Sequence, residues 1–208
     1  MAEITAKMVK ELRDSTGAGP LDCKKALEMH SGDVQKAVDW LREKGLAKAA
    51  KKLGAGRVMN EGVVTSYIHH NKRVGVLLEV DCETDFVANT EQFQIFAREV
   101  ALHIANLAPE YVSREDVPAS VVQAEREVQR RRALEEGKPE NVVEKIIDGR
   151  MGKFYEELVL LEQPFIKDDS KTINQLLQEA VAELGESIVI RRFARFGIGE
   201  AAADGDGA

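Results

Sequence analysis

Over the first 45 residues the apolar positions recur at helical spacing, and beyond residue 60 the period drops to two. Thr5 can cap a first helix whose apolar face is Met8, Val9 and Leu12, ended by Thr16-Gly17. Gly19-Pro20 restarts helix, because proline at the first helical position sacrifices no hydrogen bond. This second helix carries Leu21, Ala26 and Leu27 and stops around Ser31-Gly32. Asp33 caps a third, with Val34, Ala37, Val38 and Leu41 on one face and Gly45 as its expected stop. The pattern predicts a three-helix bundle over 1–46. Lys48-Ala49-Ala50-Lys51-Lys52, with Gly54 and Gly56, then reads as a basic, partly helical linker over 47–60.

Past the linker, Val74, Val76, Leu78 and Val80 alternate along a strand with one buried face, and Val63 to His69 is its partner across His70-Asn71-Lys72. A strongly amphipathic helix follows, with Phe93, Phe96, Ala97, Val100, Ile104 and Leu107 on one side and Pro109 beyond its end. Pro118 and Pro139 each open a further helix, and Gly137 separates the two. The first is charged and thin in apolar residues; the second offers Val142, Val143, Ile146 and Ile147. Leu158 to Leu161 continues, and Gln163-Pro164 ends it. Ile173 to Leu184 is one more helix, stopped by Gly185, and Ile188 to Phe196 a third strand. The fold class is α+β. A core over 61–196 has a small antiparallel three-stranded sheet packed by helices, a helical excursion at about 115–162, and a tail over 197–208 with too little to bury to be ordered.

Composition narrows the function classes. The chain has 208 residues, 44% hydrophobic and 31% charged, the mix of a soluble globular protein. No apolar run approaches a membrane span and no leader pattern opens the sequence, so the expected location is the cytoplasm. The net charge of -7 argues against non-specific nucleic-acid binding, which draws its affinity from Lys and Arg on phosphates. That figure hides a split: residues 1–60 carry +4 and the remainder -11. Two modules of different character are implied.

Signatures of chemistry are sparse. The sequence has no Gly-x-x-x-x-Gly-Lys-Ser/Thr loop, no Gly-x-Gly-x-x-Gly after a strand, no His-Glu-x-x-His and no Gly-x-Ser-x-Gly. His69 and His70, adjacent in an extended segment, would point to opposite faces and could not chelate one ion, so neither a metal nor a cofactor is expected. Arg130-Arg131-Arg132 is flanked by Glu125, Glu127, Glu135 and Glu136, the pattern of a solvated, salt-bridged face. Cys23 and Cys82 read as separate core thiols, and His103 on the long helix as either a satisfied half-buried histidine or an interface residue.

One segment stands apart. Asp81-Cys82-Glu83-Thr84-Asp85-Phe86-Val87-Ala88-Asn89 places three carboxylates and an aromatic between strand and helix, in a chain with 5% aromatics. Thr84 could cap a short helical turn with Phe86 packed inward as an anchor. Alternatively, Asp85 and Phe86 are displayed for a partner, an aromatic anchor beside a charge. The residues alone leave both readings open.

Thr84-Asp85-Phe86-Val87 after a strand, the opening Met1-Ala2-Glu3-Ile4-Thr5-Ala6, Thr16-Gly17-Ala18-Gly19 and Asp22-Cys23-Lys24-Lys25-Ala26-Leu27 closely resemble the elongation factor Ts family. The linker lysines, His103-Ile104-Ala105, Glu136-Gly137-Lys138-Pro139, Gly149-Arg150-Met151 and Glu162-Gln163-Pro164-Phe165 extend the match to about Phe196. The resemblance implies a guanine-nucleotide exchange factor that binds elongation factor Tu and promotes GDP release, with no active site of its own. It also implies that the bundle is ubiquitin-associated-like (UBA-like) and docks on the nucleotide-binding domain of Tu. Pro20 and Leu21 would lie at that contact, where many relatives carry two methionines. Asp85 and Phe86 would intrude near the magnesium site, Thr84 and Val87 would shape the turn, and His103 would lie near the same interface. Longer members have two sheet-bearing halves; this chain has one, and short members restore the second as a homodimer. A generic adaptor, or an enzyme using His103 or Cys82, would leave the Thr84 to Val87 match unexplained.

Overall fold

The computed structural model describes residues 4–16, 18–53 and 59–200, so the Gly17 stop, Gly54, Gly56 and the tail from 201 to 208 lie outside the described residues. Three helices open the chain: α1 (Ala6–Thr16), α2 (Pro20–Met29) and α3 (Val34–Leu53). Their starts follow from local chemistry. The Met8 N–H donates to Thr5 Oγ1 at 3.3 Å and the Lys36 N–H to Asp33 Oδ1 at 3.1 Å, while Pro20 occupies the first turn of α2 after Gly19. Leu12, Cys23, Ala26, Leu27, Ala37 and Leu41 form the small bundle core.

Gly45 does not stop α3, contrary to expectation. Its backbone does not take the left-handed conformation of a helix-ending glycine, and the Leu46-Ala47-Lys48-Ala49-Ala50-Lys51-Lys52-Leu53 run is rich in strong helix formers. A Cβ at position 45 would lie 3.4 Å from the Ala182 Cβ, an ordinary van der Waals distance, so α3 faces a helix of the core at this point.

That core is a three-stranded antiparallel sheet of β1 (Glu61–Ile68), β2 (Val74–Cys82) and β5 (Ile188–Gly197), in the order β1-β2-β5. Val76, Leu78, Val80 and Cys82 point to one face and are buried under α5 (Glu91–Leu107) and α8 (Ile173–Leu184). Register places Ile68, Gly75 and Phe196 in one row of the opposite face and Ser66, Leu77 and Ala194 in the next. Val64, Ile68, Leu77 and Phe196 are exposed there. Gly197 still belongs to β5, and the Ile198 N–H donates to Arg73 O at 2.9 Å, so the start of the expected tail is tied down.

The helical excursion is an antiparallel pair, α6 (Ala119–Glu135) and α7 (Glu140–Leu158), beginning after Pro118 and Pro139 and turning at Gly137, whose φ is 72°. Ala133, Val143, Ile147 and Met151 fill its seam. The charged face is salt-bridged across the pair: Arg126 reaches Asp148 at 2.9 Å and Glu144 at 3.1 Å, and Arg130 also bonds Glu144. A two-stranded ribbon of β3 (Pro164–Phe165) and β4 (Asp168–Thr172) leads back into α8.

Candidate functional site

Cys82 ends β2, and the chain turns through Glu83 and Thr84 into α4 (Asp85–Ala88), a helix of four residues. Such a short helix does not hold itself, because one turn fixes several dihedrals for little hydrogen-bond return. Outside bonds stabilise it. Thr84 Oγ1 accepts from the Val87 N–H at 3.4 Å and donates to Glu186 Oε1 at 2.7 Å, and the Thr84 N–H donates to Glu186 Oε2 at 3.1 Å. Beneath the turn the Cys82 thiol donates to Thr84 O at 3.1 Å and Ala88 is buried. Thr90 then caps α5 by accepting from the Phe93 N–H at 3.3 Å.

Held this way, the turn presents Asp85 and Phe86 outward. Phe86 is 82% exposed, whereas Val87 is half-buried against the sheet core. Of the two readings open in the sequence, display fits and an inward anchor does not. An exposed phenyl ring forgoes about 1.5–3 kcal/mol of burial.

Leu21, in the first turn of α2, is also 82% exposed, and Pro20 beside it is exposed. The bundle therefore has its own apolar display point. A groove of about 810 Å³ separates bundle from core, lined by Ala18, Leu41, Ala182 and Gly185 among others. Arg42 Nη2 crosses to Glu179 Oε1 at 2.6 Å, and Lys171 meets Glu179 Oε2 at 2.8 Å. Burial pushes the Glu179 carboxyl up, but Lys171 and Arg42 outweigh it and hold it below the usual carboxylate range.

His103 lies inside the core. It is fully buried, its Nε2 lies 2.9 Å from Gln163 Oε1, and its Nδ1 accepts from the Ile166 N–H at 3.2 Å. That pattern fits a neutral ring donating through Nε2, and burial lowers the His103 pKa although the Gln163 hydrogen bond opposes it. Of the two sequence readings, the satisfied histidine describes its bonding: helical periodicity puts His103 one residue from Ile104, and its imidazole ties α5 to the Gln163 segment.

The histidines of the hairpin differ from expectation too. His69 and His70 leave the strand for a turn, and their rings lie 4.2 Å apart rather than on opposite faces. Tyr67 Oη lies 3.0 Å from His69 Nδ1. Among the described residues no group of three or more His, Cys, Asp or Glu could hold a metal ion. Cys82 is buried, which pushes its thiol up, the reverse of what a nucleophile needs.

The family model described as Elongation factor TS matches residues 3–200. The chain belongs to the elongation factor Ts family. Elongation factor Ts of Carboxydothermus hydrogenoformans is 58% identical over 200 residues, covering 96% of this chain and 91% of the relative. That of Thermoanaerobacter sp. is 59% identical over 197 residues, 95% and 96% of the two chains. That of Geobacter metallireducens is 56% identical over 200 residues, 96% and 92%. Within an elongation factor Ts chain the Thr84 turn is thus a built feature: an exposed aromatic on a helix too short to hold itself, with its base tied to the α8–β5 connection. Glu186, which makes that tie, was missed in the sequence, since it lies 102 residues from Thr84 with no local signal linking the two. No helix among the described residues is long and apolar enough to cross a membrane.

Proposed function

We propose that this protein is a guanine-nucleotide exchange factor that binds elongation factor Tu in complex with GDP and promotes GDP release, without an active site of its own. Asp85 and Phe86 enter the Tu surface near the magnesium and phosphate site, with Thr84 and Val87 shaping the turn that carries them. The single observation behind this reading is the exposure of Phe86 on a turn whose base is tied through Thr84 to Glu186. Family membership supports the partner.

The physics needs no catalytic group. Mg²⁺ bridges the nucleotide phosphates to a GTPase, so disturbing its coordination weakens nucleotide binding. By linkage, the factor binds nucleotide-free Tu more tightly than Tu·GDP by the same ratio by which it weakens GDP. Burial of one phenyl ring, about 1.5–3 kcal/mol, accounts for one or two decades of rate. The remainder falls to the wider interface, where Pro20 and Leu21 are the docking contact of the UBA-like bundle.

Two copies associate through the core in this reading. The exposed Ile68, Leu77 and Phe196, in two adjacent rows of the helix-free sheet face, are the apolar surface that supports a homodimer. Neither nucleic acid nor a membrane takes part, and the site of action is the cytoplasm. The test is release of labelled GDP from purified Tu with and without the protein. Acceleration that saturates with concentration is expected; an unchanged release rate would overturn the reading.

A further inference from the structure

Two connections, far apart in sequence, exchange carboxylates beneath the displayed aromatic. Glu186, in the α8–β5 connection, takes the Thr84 N–H on Oε2 at 3.1 Å and the Thr84 hydroxyl on Oε1 at 2.7 Å. Glu83, in the β2–α4 connection, takes the Ser187 N–H on Oε1 at 2.8 Å. The clasp is reciprocal, each connection holding the backbone of the other. Gly185 ends α8 at φ 74°, a left-handed conformation that L side chains rarely adopt, and the next residue is Glu186.

We propose that Glu186 is a positioning residue for the Phe86 display: it fixes the orientation of Thr84 and thereby the direction in which Asp85 and Phe86 leave the core. The proposal rests on the exchange reading above and deepens it. Three features carry it. First, α4 has four residues, so its orientation is set by its end bonds rather than by its own length. Second, Thr84 Oγ1 is shared, accepting from the Val87 N–H while donating to Glu186, so the carboxylate fixes the rotamer in which the hydroxyl caps α4. Third, both Glu186 oxygens are used on one residue, and hydrogen bonds to an ionised acceptor are the stronger kind.

A side chain that positions the turn affects how well a docked factor works more than how well it docks, because Leu21 and the bundle lie on separate elements. The test titrates the protein against Tu carrying labelled GDP and separates maximal release rate from half-saturating concentration. Wild type, Phe86→Ala, Glu186→Ala and Glu186→Gln are compared, and amide exchange of residues 84–89 is followed in each free protein. Glu186→Ala is expected to lower the maximal rate by about tenfold, the loss of a charge-assisted hydrogen bond read as a rate. Its half-saturating concentration stays within about twofold of wild type, since a shift that small is worth less than one surface contact. Amide exchange speeds up at residues 84–89 and stays slow in α5 and β2. Glu186→Gln, which keeps one acceptor oxygen, falls between Ala and wild type.

A wild-type maximal rate for Glu186→Ala beside a slow Phe86→Ala overturns the positioning role and leaves the exchange reading standing. Loss confined to half-saturation, or amide exchange that speeds up across the whole core, overturns it as well, because those belong to a general structural role. Failure of the wild-type protein to accelerate release overturns the exchange reading itself, and the positioning role with it.

Discussion

Leu21 and Phe86 are equally exposed, yet the two regions that display them are built differently. Leu21 sits on a ten-residue helix in a bundle whose core, among the described residues, is Leu12, Cys23, Ala26, Leu27, Ala37 and Leu41. Phe86 sits on a single turn that has almost no structure of its own and borrows its rigidity from a larger core beneath. The bundle positions its residue by folding as a unit; the turn positions its residue by polar bonds to a distant connection. One display therefore fails with the stability of its module, and the other with the loss of a specific hydrogen bond.

The largest expected effect breaks the bundle side of this contrast. Leu12 is fully buried at the centre of the small core, so Leu12→Ala costs about 2–5 kcal/mol. Amide exchange should show α1 to α3 opening while β2 and α5 stay protected; equal loss of protection in both modules would mean that they are one cooperative unit. On the other side, Phe86→Ala is expected to leave thermal melting unchanged and to slow stimulated GDP release at saturation by about ten- to a hundredfold. A melting temperature that drops would show that the ring contributes to the fold despite its exposure.

A smaller effect separates the modules by pH. The His103 pKa is lowered in the fold, so as pH falls through about 6.5 the unfolded chain takes up the proton first. The stability contributed by the neutral ring is present above that pH and is lost below it, and the loss belongs to the core. The protection factor of α5, taken against the intrinsic exchange rate at each pH, should fall between about pH 7 and pH 5.5, above the range where carboxylates titrate. Protection of α5 that rises on acidification would contradict the bonding assigned to His103. The smallest effect concerns the joint between the modules. Arg42 is largely exposed, so Arg42→Ala should change melting by no more than about 1 kcal/mol, with Gly45 against Ala182 retaining the contact. A larger loss would identify the ion pair, rather than the helix packing, as what holds bundle to core.

What could be read from the sequence follows the range of the physics involved. Helix starts at Thr5, Pro20 and Asp33, and the buried alternation from Val74 to Val80, are set by neighbours a few residues away and were legible. Gly45 is ambiguous because a glycine that ends a helix and one inside a helix look alike in sequence, and here α3 runs on to Leu53. The β4 strand, Asp168–Thr172, is polar throughout and carries no alternation to detect. At the site, the Thr84 cap was legible and the direction of Phe86 was not, since that depends on Glu186 and on what α4 packs against. His103 shows the same limit: its helical position was apparent, but its partners at Gln163 and Ile166 are some 60 residues away.

In the proposed exchange function the two display points do separate work, Leu21 in docking and Phe86 in release. The most direct test measures GDP release from Tu across a concentration series of wild type, Leu21→Ala and Phe86→Ala. Leu21→Ala is expected to raise the half-saturating concentration by about tenfold with the maximal rate preserved, and Phe86→Ala to lower the maximal rate. Two variants that shift the same parameter, or a wild-type protein that leaves GDP release unaccelerated, would contradict it.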